Sequence, residues 1–285
     1  MSTFKPSIKN HWIPVGFMKG FSIGFPETLF QEGRDHLIYW GMKGDCCIKK
    51  EKAESHFLKN HLYSTFDEEG NCNDVIEKVL CEHDNYLLNM SRALYSYFFD
   101  GSYKKKPELS ETVKKNIISL MKIGDKRSYQ FIKSLENEVE KKFPNESKEQ
   151  KKNMVMHLFC QFGEGQHEGI PSVDEVLSKK GTIIFIIRSD RKRFIMSDNL
   201  FFQLEENGLA NKNNEFCFPL NEKIFILKTA KINEKQYDVR ELYDKDMETI
   251  RLINERIVIT AHSKIAGSNK QLLKSLCAGA SWKIR

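Results

Sequence analysis

The chain has 285 residues, 40% of them hydrophobic and 29% charged, and a formal net charge of +6. That balance excludes a disordered chain, and the length allows a full core without covalent staples. No apolar run approaches the roughly 18 residues of a membrane-spanning helix, so no membrane partner is expected.

Seven cysteines, an odd number with two of them adjacent at Cys46 and Cys47, do not form a disulfide framework. The first residues lack the basic segment, apolar stretch and small-residue cleavage site of a signal peptide. A cytoplasmic location is the expectation. The basic surplus is compatible with nucleic acid, although a lysine-rich solvated surface is the commoner origin of such a surplus.

In chain order, residues 1–50 read as extended chain and turns followed by a β-hairpin. Pro14 disfavours helical geometry at Ile13. His36 to Trp40 and Cys46 to Lys49 flank the turn Lys43-Gly44-Asp45. Residues 74–180 read as helical. Val75, Val79, Leu80, Tyr86, Leu87, Met90, Leu94 and Phe98 recur at the helical period, with Asp74 as N-cap. Further helices are predicted from Ser110 to Gly124, from Asp125 toward Phe143, from the capping box Ser147/Gln150 through Phe162, and from a second box at Ser172/Glu175.

Residues 181–230 change period. Thr182 to Ile187, Arg193 to Ser197, Leu200 to Leu204 and Lys223 to Lys228 read as antiparallel strands. Residues 246–278 return to helix, from Met247 to about His262 and from Gln271 to Leu276. The expectation is one α+β domain over residues 1–285, a helical middle packed with a small, mostly antiparallel sheet.

Three stretches stand out: His11-Trp12-Ile13-Pro14 through Phe21-Ser22; Phe194-Ile195-Met196-Ser197-Asp198-Asn199 with Phe218-Pro219-Leu220-Asn221; and Ile253-Asn254-Glu255-Arg256. Their order and spacing resemble an uncharacterised bacterial family, domain of unknown function forty-two thirty-eight. Leu200 stands where that family carries a proline, and Arg127-Ser128 is the nearest counterpart of its Arg-Thr-Pro. The resemblance implies candidate positions and no chemistry.

The candidate catalytic residues are His11, Asp198, Glu82 and Asp84. A histidine in rigid, proline-bounded chain can act as a general base, because its ordinary pKa is near 6.5; a structural imidazole donating to a carbonyl is the plainer reading. Asp198 ends a strand-like run, where a carboxylate can orient a base or hold a metal, yet Ser197-Asp198-Asn199 is also turn chemistry. Glu77 and Asp84 share one helical face, with Glu82 elsewhere around the helix. Paired acids there can hold a divalent cation, and a solvated helix edge explains them equally well.

Ser197, Asn199 and Asn254 are site-supporting candidates. Asn254 shares a face with Ile250, Ile257, Val258 and Ala261, so burial obliges its amide to bond something specific. His83, in the apolar stripe of the long helix, reads as a core histidine. The lysine tracts Lys104, Lys105, Lys106 and Lys148, Lys151, Lys152 are the candidate nucleic-acid contacts.

Phosphate-loop and Cys-x-x-Cys motifs are absent, the glycines of Gly163 to His167 do not make a nucleotide site, and Glu222-Lys223 does not fit a nuclease strand pattern. Two functions are expected. One is a hydrolase acting on nucleic acid, a toxin or defence effector, with a divalent metal as its conceivable cofactor. The other is a non-enzymatic binding or regulatory protein whose polar residues form a structural network.

Overall fold

The computed structural model describes residues 9–33, 35–100, 115, 117–119, 121, 124, 129–161, 173–204, 214–234 and 236–279. The helix starts expected at Ser110, Asp125 and Ser172, the Lys104 to Lys106 tract, Arg127-Ser128, the loop Gly163 to His167 and the His83 side chain lie outside them.

The fold is α+β and is organised by one buried strand. β7 (Gly181–Ile187) is buried at every residue, which its unbroken apolar run anticipates. Its side chains alternate between two cores. Ile184 and Ile186 face the helical middle and the N-terminal segment, while Ile183, Phe185 and Ile187 face the C-terminal helices. Each such side chain contributes about 1.5–3 kcal/mol relative to exposure.

β7 pairs antiparallel with β11 (Ile224–Thr229) and parallel with β12 (Tyr237–Leu242). The five-stranded order is completed by β10 (Phe216–Asn221) and β9 (Phe202–Gln203). The sheet is therefore mixed, not antiparallel throughout. β10 carries Pro219 inside a sheet, which a proline tolerates at a bulge; the register with β11 does shift between Pro219 and Asn221. At this bulge Gly20 is indispensable, because a Cβ there would lie 2.8 Å from the Asn221 Cβ.

The hairpin at residues 37–52 forms with a longer turn than the sequence suggests. β2 (Leu37–Met42) pairs with β3 (Lys49–Lys52), and its other edge takes β13 (Lys264–Gly267), which also pairs with β8 (Met196–Ser197). Two small ribbons join β1 (Lys9–His11) to β4 (Leu58–Asn60) and β5 (Thr65–Phe66) to β6 (Cys72–Asn73).

The N-terminal segment is not all extended. After Pro14 comes the helical turn Val15–Met18, in which the Phe17 and Met18 amides donate to the Pro14 carbonyl. Proline disfavours helix at the residue before it and does not restrict the residues after it, and Pro14 stands at the N-cap in an extended conformation, ψ 133°. Trp12 anchors the segment by stacking on Tyr129 at 4.9 Å between ring centroids.

The long helix Val75–Phe99 packs Leu80, Leu87, Met90, Leu94 and Phe98 inward, whereas Val75 and Val79 are exposed. Those two lie off the stripe that the other five define. Asp74 does not cap this helix with its side chain; the Asn73 carbonyl oxygen Oδ1 accepts the Val75 amide instead, at 2.9 Å. The Ser147/Gln150 capping box forms reciprocally, at 2.9 and 3.1 Å, and opens the helix Lys148–Gln161. Helices Met247–Thr260 and Lys270–Gly279 stand close to their expected bounds, and helix Tyr129–Lys142 ends one residue short of the expected Phe143. Among the described residues no helix is long and apolar enough to cross a membrane.

Candidate functional site

A cleft of about 630 Å³ opens between the N-terminal segment and the long helix. From the segment come His11, Val15 and Lys19; from the helix and the residue that precedes it come Asp74, Glu77, Lys78, Cys81, Asp84 and Asn85. The helix residues recur at three- and four-residue spacing, so they form one stripe opposite the core-facing one. Arg92 ties the wall together by donating from Nε to the Leu29 carbonyl at 2.7 Å.

His11 and Asp84 therefore line one cleft, with Glu77 between them on the helix, whereas Glu82 is exposed and does not line it. The His11 Nε2 lies 2.9 Å from the Glu54 carbonyl oxygen. A carbonyl only accepts, so Nε2 carries the hydrogen, and in neutral imidazole Nδ1 is then the nitrogen that takes up a proton. Lys19 is buried, and desolvation together with nearby Arg92 lowers its pKa.

The cleft shares Asp74 and Lys78 with an adjoining recess that holds Cys72. The Cys72 thiol sits 3.5 Å from His61 Nδ1, and Asp74 accepts from the Ser64 hydroxyl at 3.0 Å. Burial raises the Cys72 pKa, with Asp74 adding to the rise. A thiol that resists ionisation is a poor nucleophile. Among the described residues, no three His, Cys, Asp or Glu side chains are grouped so as to hold a metal ion.

Asp198 lies in a different place and does not line the cleft. Its carboxylate accepts the backbone amides of His262 (2.8 Å), Ser263 (2.8 Å) and Lys264 (3.0 Å), and the Ser263 hydroxyl at 2.7 Å. The Ser197 hydroxyl bonds the Asn199 carbonyl, and the Asn199 amide donates to the Thr260 carbonyl. Lys43, from the hairpin turn, donates to the carbonyls of Ile259 and Ala261 at the end of helix Met247–Thr260. A cation there also opposes the negative end of the helix dipole. Ser197-Asp198-Asn199 is thus a brace on the chain between that helix and β13.

Asn254 is fully buried on the face expected of it, with Ile250, Ile257 and Val258. Its Oδ1 accepts the Ile195 amide at 3.0 Å, and its Nδ2 donates to the Arg193 carbonyl at 2.9 Å. The side chain pairs with chain 193–195 as a neighbouring strand would.

The second lysine tract is largely committed inside the fold. Lys151 bonds Glu140 at 2.9 Å and the Pro144 carbonyl at 2.8 Å. Lys152 bonds the Leu62 carbonyl at 2.9 Å, and burial lowers its pKa. Lys148 is exposed.

Sequence reasoning passed over two adjacent buried charges, Glu222 and Lys223. Glu222 is pushed up in pKa by burial, partly offset by the Ser268 hydroxyl and Arg193. Lys223 donates to the carbonyls of Ser189 (2.5 Å) and Lys192 (2.9 Å), and burial lowers its pKa to about 8. The signal was adjacency of two charges at the end of an apolar strand. The unfolded chain binds the lysine's proton more tightly, so between pH about 8 and the ordinary lysine value stability should rise with pH. Melting temperatures across that window should climb for the wild type relative to Lys223→Met; parallel curves would show that Lys223 titrates normally.

An α+β protein with a mixed-charge cleft on a long helix is the class these features define. The chain belongs to the family described as protein of unknown function (DUF4238), which matches residues 9–271. No curated protein and no solved structure matches it.

Proposed function

We propose that this chain is a hydrolase acting on nucleic acid, with the cleft between the N-terminal segment and the long helix as its reaction site. One observation carries the reading: His11 and Asp84, from segments far apart in sequence, line the same open cleft beside Glu77, Asp74 and two lysines. Phosphodiester hydrolysis needs a base to take a proton from the attacking water. It also needs positive charge where the phosphorane-like state develops. His11 supplies the base at Nδ1, Asp84 and Glu77 orient the water, and Lys78 faces the developing charge. Cys46 and Cys47 are exposed free thiols, which suits a reducing, cytoplasmic setting.

A second reading, a binding or regulatory protein, is favoured by the closed network at Asp198, Asn199 and Asn254, whose polar atoms bond backbone. Single- and double-stranded oligonucleotides of DNA and RNA, with and without magnesium or manganese, separate the two. His11→Ala should lower the cleavage rate by about 10²–10⁴-fold, the usual weight of a general base, while melting as the wild type does. Wild-type protein that cleaves none of these substrates would leave the network reading in its place.

A further inference from the structure

A second depression, about 800 Å³, lies between the loop after β7 and the two C-terminal helices. Its charged lining comprises Arg191, Lys192, Arg193, Lys245 and Arg251 against Glu248 alone. Glu248 and Arg251 neutralise each other, with Glu255 also on Arg251. Among the described residues, none of Arg191, Lys192 and Lys245 has an ion pair. Asp244 and Asp246, although close in sequence, do not line the groove. Asp244 accepts the Ser189 hydroxyl and Asp246 accepts the Tyr243 amide.

Arg193 stands at the rim with 28% of its side chain exposed. Its Nε is buried without a hydrogen-bond partner, and its other contacts are long, 3.3 Å to the Asp190 carbonyl and 3.4 Å to Glu222. A buried guanidinium donor left unmatched is costly. Arg193 also borders a smaller recess with Asp190, Glu222 and Lys223. An oxyanion in the groove therefore meets only the exposed part of the side chain, where guanidinium fits phosphate oxygens in a planar, forked geometry. The loop is fixed in place from below. Lys223 holds the carbonyls of Ser189 and Lys192, and Asn254 holds Arg193 and Ile195. Cations on a pinned loop form a built surface, unlike lysines scattered over a solvated face.

We infer that this groove binds the phosphate backbone of a single nucleic-acid strand, with Arg191, Lys192, Arg193 and Lys245 as its contacts. The inference rests on the reading of the chain as a nucleic-acid hydrolase and supplies the binding surface that the Lys148 to Lys152 tract does not. The described lining of the groove has no aromatic platform, and of its three amides Asn254 is committed to the Ile195 and Arg193 backbone. That leaves Asn269 and Gln271, so binding through phosphate contacts is sequence-tolerant.

The test is fluorescence anisotropy with a labelled oligothymidylate of about 15 nucleotides, spanning a typical single-strand site, titrated over a range of salt. The protein is the full chain and its Arg191→Gln/Lys192→Gln/Lys245→Gln variant, whose altered side chains make no ion pair among the described residues. At about 0.1 M salt the variant should bind at least tenfold more weakly, and the slope of log affinity against log salt should flatten by about 2, from roughly 0.7 per lost phosphate contact. In cleavage assays KM should rise with kcat kept. Equal affinity and slope for the two proteins would overturn the inference. So would variant-sensitive binding seen with phosphatidylserine vesicles and not with the oligonucleotide. Variant-sensitive binding without cleavage by the wild type would keep the groove and remove the hydrolase. Cleavage with KM unmoved in the variant would do the reverse.

Discussion

Asp198→Ala is expected to lower the unfolding free energy by about 3–4 kcal/mol, among the largest effects a single substitution here can have. The carboxylate gathers three consecutive amides, His262 to Lys264, and the Ser263 hydroxyl. Removing it strands several donors in a nearly buried place, where each unmatched group costs about 1–3 kcal/mol and entering water recovers part of that. Asp198→Asn keeps one acceptor oxygen and should lose roughly half as much. Urea unfolding followed by circular dichroism measures both. A loss below about 1 kcal/mol for the alanine variant would mean that the turn into β13 is held by Lys43 and Asn199 alone.

Asn254→Leu should cost about 2–4 kcal/mol, from two buried backbone groups, the Ile195 amide and the Arg193 carbonyl, left without partners. Leucine has nearly the same volume, so overpacking does not obscure the result. The same experiment carries a second readout. Chain 193–195 loses its clamp, so oligonucleotide affinity should fall along with stability through Arg193. A variant that melts higher than the wild type would contradict the bonding described for this helix face.

Sequence made the helices readable because their signals are local. The Ser147/Gln150 box and the 3.6-residue stripe ending at Phe98 both form as their spacing implies. β7 was readable for a similar reason, since an unbroken apolar run bounded by Gly181 and Arg188 has few other solutions. β10, β12 and β13 were not. β10 contains Pro219 at a bulge, β12 is a half-exposed edge strand with the charged run Asp238 to Glu241, and β13 is four residues long. β10 and β13 show no alternation of the kind that marks a strand, and that of β12 (Tyr237, Asp238, Val239, Arg240) is only four residues long.

The polar sites divide along the same line. Glu77 and Asp84 on one helix face follow from helical geometry, but their meeting with His11 depends on tertiary packing. For Asp198 and Asn254 the sequence marks residues that must bond something, while the partners are backbone atoms some 60 residues away. Backbone partners leave no trace in residue type. The groove was missed because Arg191 to Arg193 reads as a polar turn until helix Met247–Thr260 is placed beside it.

The measurement that bears most directly on the cleft is a double-mutant cycle between His11→Ala and Asp84→Asn on oligonucleotide cleavage. Residues that act on one water as a unit are strongly non-additive. The double variant should cleave little more slowly than the worse single variant, with all three retaining the wild-type melting temperature. Effects that multiply in full, or rates that fall only as far as stability falls, would contradict a shared catalytic role for His11 and Asp84.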